Sequence, residues 1–366
     1  MAGDTLFKDE IWWRDHQVWL DERGYKLRPR LTPGWVPSWL GKGKGVRRHK
    51  CEDYQYEMHP SVQDALRKDN NQRVILKKIN TTEYPNEQGI ATYFSSKELA
   101  DIPENHCVPI LEILHIPDEE HVILLAMPLL HHCLKPPLET VGEVVEFFRQ
   151  VFEGIHFMHQ HRIAHRDCHG PNILMNADAM YPSGFHAVKQ DMLPNWKGKA
   201  KHFSRTERPP KYYLIDFGLS VRFDPDESAP RARVIRGGDR DYPPELLDRD
   251  VEYDPFPTDV FYLGNIIKHE FTEGSSHIHS TKKLGFEFLE GLAADMTNPD
   301  PLKRPTMDEV VSRYREIQQG LSSWKLRQRV VRSDEFFLTA LFRSTRHLGR
   351  TLVYIAKRIP PLPRQQ

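Results

Sequence analysis

A chain of 366 residues has room for one large domain with extensions or for two ordinary domains, and either can bury a sizeable core. Hydrophobic content of 39% with 10% aromatics is that of a globular protein, and no apolar run approaches the roughly 18 residues needed to cross a bilayer. Basic and acidic residues balance at 51 each, which removes any global electrostatic case for nucleic acid or an anionic membrane as partner.

The first ten residues are acidic and polar, without the basic-then-apolar order of a secretory signal. Cys51, Cys107, Cys133 and Cys168 form no CxxC pair. Reduced thiols and an intracellular location, cytoplasmic or nuclear, are therefore expected. Ile11, Trp12, Val18, Trp19 and Leu20 predict a helix over 9–22. Residues 24–45 are dense in Pro, Gly, Trp and Arg, which predicts an extended, aromatic-anchored arm ending in a flexible linker at Gly41, Gly43 and Gly45. Residues 1–54 thus read as an N-terminal extension.

Strands over 61–66 and 73–79 flank a turn at Asp69-Asn70-Asn71 and predict a hairpin. A helix over 86–100, with Ile90 and Phe94 on one face, and strands over 108–116 and 121–127 complete a small β-rich part, 55–127. Beyond Pro128 the chain turns mainly helical. Val141, Val144, Val145, Phe148, Val151, Phe152, Ile155 and Met158 stand at helical spacing within 140–160. A Pro-, Lys- and Gly-rich stretch, 176–211, interrupts this larger part, 128–318, and reads as a surface loop. The tail, 319–366, is basic and carries an amphipathic helix over 336–359. Its apolar residues call for burial, so it is expected to dock back on the domain or to bind an acidic partner.

The strongest chemical signal is His165-Arg166-Asp167-Cys168-His169-Gly170-Pro171-Asn172. Phosphoryl transfer needs a carboxylate to accept the substrate hydroxyl proton and a neutral oxygen ligand for Mg2+, and an HRDxxxxN loop places both on one turn. Asp216-Phe217-Gly218, after a short apolar strand, offers a second metal carboxylate. Lys77 in Val74-Ile75-Leu76-Lys77 sits on a strand, as a phosphate-anchoring lysine requires.

With these motifs the chain resembles the eukaryotic protein kinases over roughly residues 55–318. Pro243-Pro244-Glu245, Asp259 and Lys303-Arg304-Pro305-Thr306 extend the match. The resemblance implies an α+β, two-lobed fold: a β-rich N-lobe with one main helix and a larger helical C-lobe. It implies ATP and Mg2+ as cofactors and protein substrates, with serine or threonine hydroxyls ahead of tyrosine. Asp167, Lys77, Asn172 and Asp216 would be catalytic, Asn172 and Asp216 holding the metal. Val62, Lys77, Glu87, Leu174 and Asp216 would bind ATP. His165, Arg166, Phe217, Gly218, Asp259 and a Glu245–Arg304 ion pair would be structural. Asn105-His106-Cys107-Val108-Pro109 and the run through Asp216 resemble a fungal group of kinases.

The chain departs from the family in several places. Residues 55–61 contain no glycine, so backbone amides cannot approach phosphates in the usual way. Ile75 is larger than the usual alanine. Glu87 and Glu98 are both candidates for the Lys77 partner, Glu87 being preferred. His169 replaces a lysine. The segment 216–245 has no threonine: Gly238 stands where one would contact the aspartate, and Asp224, Asp226 and Glu227 either replace a phosphate on Arg166 or are merely solvated. His156, His159, His161, His165 and His169 lack ligand spacing for zinc. The alternatives to an active kinase are a pseudokinase scaffold and a small-molecule phosphotransferase.

Overall fold

The computed structural model describes residues 6–40, 47–56, 59–237, 241–248 and 250–364. The expected 41–45 linker and Gly238 lie outside the described residues. The chain divides into two compact units.

The first unit takes in Met1–Gln88, Val108–Leu130 and Tyr181–His202. The single helix expected at the start is two, α1 (Lys8–Asp15) and α2 (Gln17–Glu22), because His16 leaves helical geometry. Strands β1 (Tyr25–Leu27), β2 (Val62–Arg67) and β3 (Arg73–Asn80) come before the helix α3 (Glu87–Phe94), and β4 (Glu112–His115) and β5 (Val122–Pro128) after it. All pairs are antiparallel, in the order β1-β2-β3-β5-β4.

Strand β1 comes from the N-terminal extension, so the expected arm is an edge of the sheet. Trp13, Leu20, Tyr25, Leu27 and Leu31 share one core with Val74, Leu76, Leu114 and Leu124. With the extension packed over it, β2 buries Gln63, Asp64 and Ala65 in succession and loses the alternation of a half-exposed strand. The cations this brings inside are paired: Arg28 Nε lies 2.8 Å from Asp64 Oδ1, and Arg30 Nη2 2.7 Å from Glu10 Oε2.

The stretch expected as a surface loop is also partly core. Phe185, His186 and Ala187 are buried, Trp196 Nε1 donates to Lys50 O at 2.8 Å, and His186 Nε2 lies 3.2 Å from Glu52 Oε1. Its Pro, Gly and Lys content hides this, because irregular backbone packs aromatics without a period.

The second unit takes in Gly89–Cys107, His131–Met180 and Phe203–Gln366. Helix α3 is shorter than predicted: it ends at Phe94, and the turns through Ala100 follow. Strand β6 (His131–His132) precedes the long helix α4 (Val141–Gln160), whose N-terminus is capped by Thr140 Oγ1 accepting from Glu143 N–H at 3.1 Å. After it come β7 (Ile163–Ala164), β8 (Ile173–Asn176), β9 (Lys211–Leu214) and β10 (Val221–Arg222). Strands β6, β8 and β9 form one sheet and β7 with β10 another. Helices α5 (Phe256–Ile267), α6 (Glu290–Met296), α7 (Met307–Gly320), α8 (Ser323–Arg327) and α9 (Phe337–Ala356) follow. The whole is a mixed α+β fold.

Helix α9 packs on this unit, though by its polar side. Tyr354 Oη is 2.8 Å from Ser204 Oγ and Arg350 Nη1 2.6 Å from Glu139 Oε2. The apolar residues expected to need burial, among them Phe336, Phe337, Leu341, Phe342, Leu348, Leu352 and Ile355, are exposed.

Candidate active site

Within the first unit, register sets Val62 opposite Lys77 on neighbouring strands. Lys77 Nζ forms an ion pair with Glu87 Oε1, the first residue of α3. Glu98 is exposed in the turns that follow that helix. Glu87 therefore holds the lysine, and it can do so because α3 begins seven residues after β3 ends.

Within the second unit, β8 and β9 pair with Ile173 opposite Leu214, so Asn172 and Ile215 stand at the same end of the ladder. Ile215 N–H donates to Asn172 O at 3.0 Å, and Asp216 follows directly. Leu174 lies half-buried in β8. His165 is fully buried, with Nε2 3.1 Å from Ile215 O and its ring 5.7 Å from that of Phe217. Asp259, on α5, accepts the backbone N–H of His165 at 2.8 Å and of Arg166 at 2.7 Å. One buried carboxylate thus suspends the loop. Burial pushes the Asp259 pKa up, but His159 Nε2 at 2.9 Å and the Arg166 amide outweigh it and hold the group below the usual carboxylate range.

These anchors support a strained backbone. Arg166 and Asp216 both adopt left-handed geometry, at φ 69° and 66°, which costs a non-glycine residue on the order of 1–3 kcal/mol. The strain falls on the two loops that carry the candidate carboxylates. Asn172 Nδ2 donates to Asp167 O at 2.9 Å and to Asp167 Oδ2 at 2.8 Å. Gly218 N–H lies 3.3 Å from Asp216 Oδ1, and His169 Nδ1 3.0 Å from Asp167 O. Cys168, also buried, is no nucleophile: desolvation and the nearby Asp259 and Asp167 charges push its thiol well up.

Arg166 is spoken for by the chain itself. Its guanidinium donates to Tyr253 Oη at 3.0 Å, to Leu219 O at 3.1 Å and to Arg233 O. Asp224, Asp226 and Glu227 are exposed and are not its partners, so the solvated reading of those acids holds. Gly237 explains part of this segment: a Cβ there would collide with Asp167 Oδ1, so the backbone passes as close as a glycine allows. Further along, Arg304 Nη1 and Nη2 grip Glu245 Oε1 and Oε2 at 2.5 and 2.8 Å, and Thr258 Oγ1 donates to the same carboxylate at 2.9 Å. The five clustered histidines point to separate partners, such as Asp308 for His156 and Tyr93 for His161.

A family model described as "Protein kinase domain" matches residues 59–290. The chain belongs to the protein kinase domain family. Among curated proteins, myosin light chain kinase 3 of Homo sapiens is 32% identical over 127 residues, 35% of this chain and 11% of that protein. The same kinase of Rattus norvegicus is also 32% identical over 127 residues, covering 35% and 12%. A Wee1-like protein kinase of Oryza sativa subsp. japonica is 26% identical over 211 residues, covering 53% and 33%. The chain therefore matches about a tenth to a third of the length of these relatives.

Protein kinases use ATP, normally with Mg2+, held by the DFG aspartate and the catalytic-loop asparagine. The residues here fit that ion. Both Asn172 Nδ2 hydrogens are committed to Asp167, which fixes the amide so that Oδ1 is its remaining metal-seeking atom. Several residues packed around the candidate site escaped the sequence reading. Tyr253, His159 and Gly237 act through partners 87, 100 and 70 positions away, beyond any local motif. Only the Gly237-Gly238 pair left a visible signal, a place where backbone comes close to something.

Proposed function

We propose that this chain is an active protein kinase that transfers the γ-phosphoryl group of ATP to serine or threonine hydroxyls of proteins. The observation that carries the reading is the orientation of Asn172. Its amide nitrogen donates to the Asp167 carboxylate and to the Asp167 carbonyl, while its oxygen remains for a cation. Lys77, held by Glu87, would orient the α- and β-phosphates. Asp167 would accept the proton of the attacking hydroxyl as the bond to phosphorus forms, with ADP leaving. Mg2+, when bound by Asn172 and Asp216, neutralises charge on the phosphate oxygens. Val62 and Leu174 would cover the adenine, and Glu245, Arg304 and Asp259 would hold the scaffold.

The arrangement of Arg166 supports activity without a phosphate on the segment, since Tyr253 and two carbonyl oxygens already accept the hydrogen bonds of that guanidinium. The finer likeness to a fungal kinase group is proposed on the sequence of Asn105-His106-Cys107-Val108-Pro109 and of the run Tyr212 to Ser220 alone. One observation favours a pseudokinase scaffold instead: 55–61 lacks glycine. Purified protein with Mg2+ and γ-labelled ATP separates the two. Transfer to generic protein substrates, lost in Asp167→Asn at unchanged melting temperature, is the expected result. Absence of transfer together with absence of MgATP binding by calorimetry overturns the proposal. Phosphoamino-acid analysis of the product decides the hydroxyl class.

A further inference from the structure

Helix α9 is built with its faces exchanged. The residues it turns toward the domain are Ala340, His347, Thr351 and Tyr354, spaced seven, four and three apart on one face. The outward side carries Leu338, Leu341, Phe342, Leu348, Leu352 and Ile355, and these are exposed, Phe342 to 69%. At 20 residues the helix is about 30 Å long, so this is a continuous apolar stripe rather than scattered side chains. No acidic residue occurs in 336–364, while Arg346, Lys357 and Arg358 are exposed and have no acidic partner among the described residues.

We propose that this face lies on an anionic lipid surface, with the Phe and Leu side chains entering the headgroup boundary and the arginines and lysine against lipid phosphates. Charge decides the class of partner. Joining two copies of the chain through this face would bring Arg346, Lys357 and Arg358 of both together, with no acid between 336 and 364 to offset them. Geometry decides between a lipid surface and an acidic protein. The inner face is tied down by His347 Nε2 on Arg327 O at 2.8 Å, by Tyr354 on Ser204 at 2.8 Å and by Arg350 on Glu139 at 2.6 Å. A partner that wraps a basic helix would have to break these contacts, whereas a plane needs only the face already free. The helix lies on the surface and does not cross it, for no described helix is long and apolar enough to do so.

The test is co-sedimentation of the full chain with vesicles of phosphatidylcholine alone and of phosphatidylcholine with phosphatidylserine. Binding only to the anionic vesicles, weakening as salt rises, is expected. Each basic residue at such a surface contributes about fivefold, so Arg346→Glu with Lys357→Glu should lower partitioning by at least roughly 30-fold. Leu341→Glu with Leu348→Glu should abolish it at an unchanged melting temperature, because both side chains are exposed. Three results overturn the proposal. The first is no binding to anionic vesicles at low salt, or equal binding by the Leu341→Glu, Leu348→Glu variant. The second is a dimer in sedimentation velocity that this variant dissociates. The third is capture of the unmodified chain by calmodulin, as an acidic helix-binding probe, without binding to vesicles.

Discussion

Helices α4 and α9 are each 20 residues long and each strongly amphipathic, yet they end in opposite situations. Helix α4 buries nearly its whole circumference, including Val144, Phe148, Phe152 and Ile155. Helix α9 buries only Thr351 and Tyr354 and leaves its apolar stripe outside. Their glycines tell the same story. On α4, a Cβ at Gly142 would strike Pro361 O and one at Gly154 would come within 2.7 Å of His106 Cβ, while around Gly349 on α9 there is open space. Periodicity establishes that a helix has an apolar face, but it carries no information about what covers that face.

The widest gap between the two helices should appear in their apolar side chains. Phe152→Ala should cost about 3–5 kcal/mol in denaturant unfolding. Leu348→Ala should change stability by no more than about 0.5 kcal/mol. Equal costs would mean that something covers α9 in solution.

Charge should separate a buried pair from a half-exposed one. Removing the guanidinium in Arg304→Ala strands Glu245 in a site where the arginine side chain is 0% exposed, at about 3–5 kcal/mol. Arg350→Ala breaks a pair to Glu139 whose side chains are 26% and 37% exposed, at about 0.2–1 kcal/mol. A thermal melt of Arg304→Ala that overlays the unmodified protein would remove the clamp from the account.

The two helix glycines should differ in the sign of their effects. Gly154→Ala forces His106 or Leu214 to move and should destabilise by about 1–3 kcal/mol. Gly349→Ala adds a methyl group to open space and lowers backbone freedom in the unfolded chain, so it should stabilise by roughly 0.5–1 kcal/mol. Melting temperatures moving in the same direction would show that α9 is packed more tightly around Gly349 than its surroundings indicate.

By itself the sequence determined what local chemistry can encode. The spacing within His165 to Asn172 and within Asp216 to Gly218, the strand carrying Lys77, and the period of α4 are all constraints that act over a few residues. Each was legible because a turn, a cap or a strand register leaves its mark on neighbouring positions. Only the tertiary structure decided which glutamate meets Lys77, since Glu87 and Glu98 differ in where α3 ends and not in kind. Only there does β1 join the sheet through Tyr25 opposite Arg67, and only there do the middle of 176–211 and the polar face of α9 find their partners. Those outcomes depend on contacts between segments tens to more than a hundred positions apart. A single sequence records such contacts on both sides without marking which pairs with which.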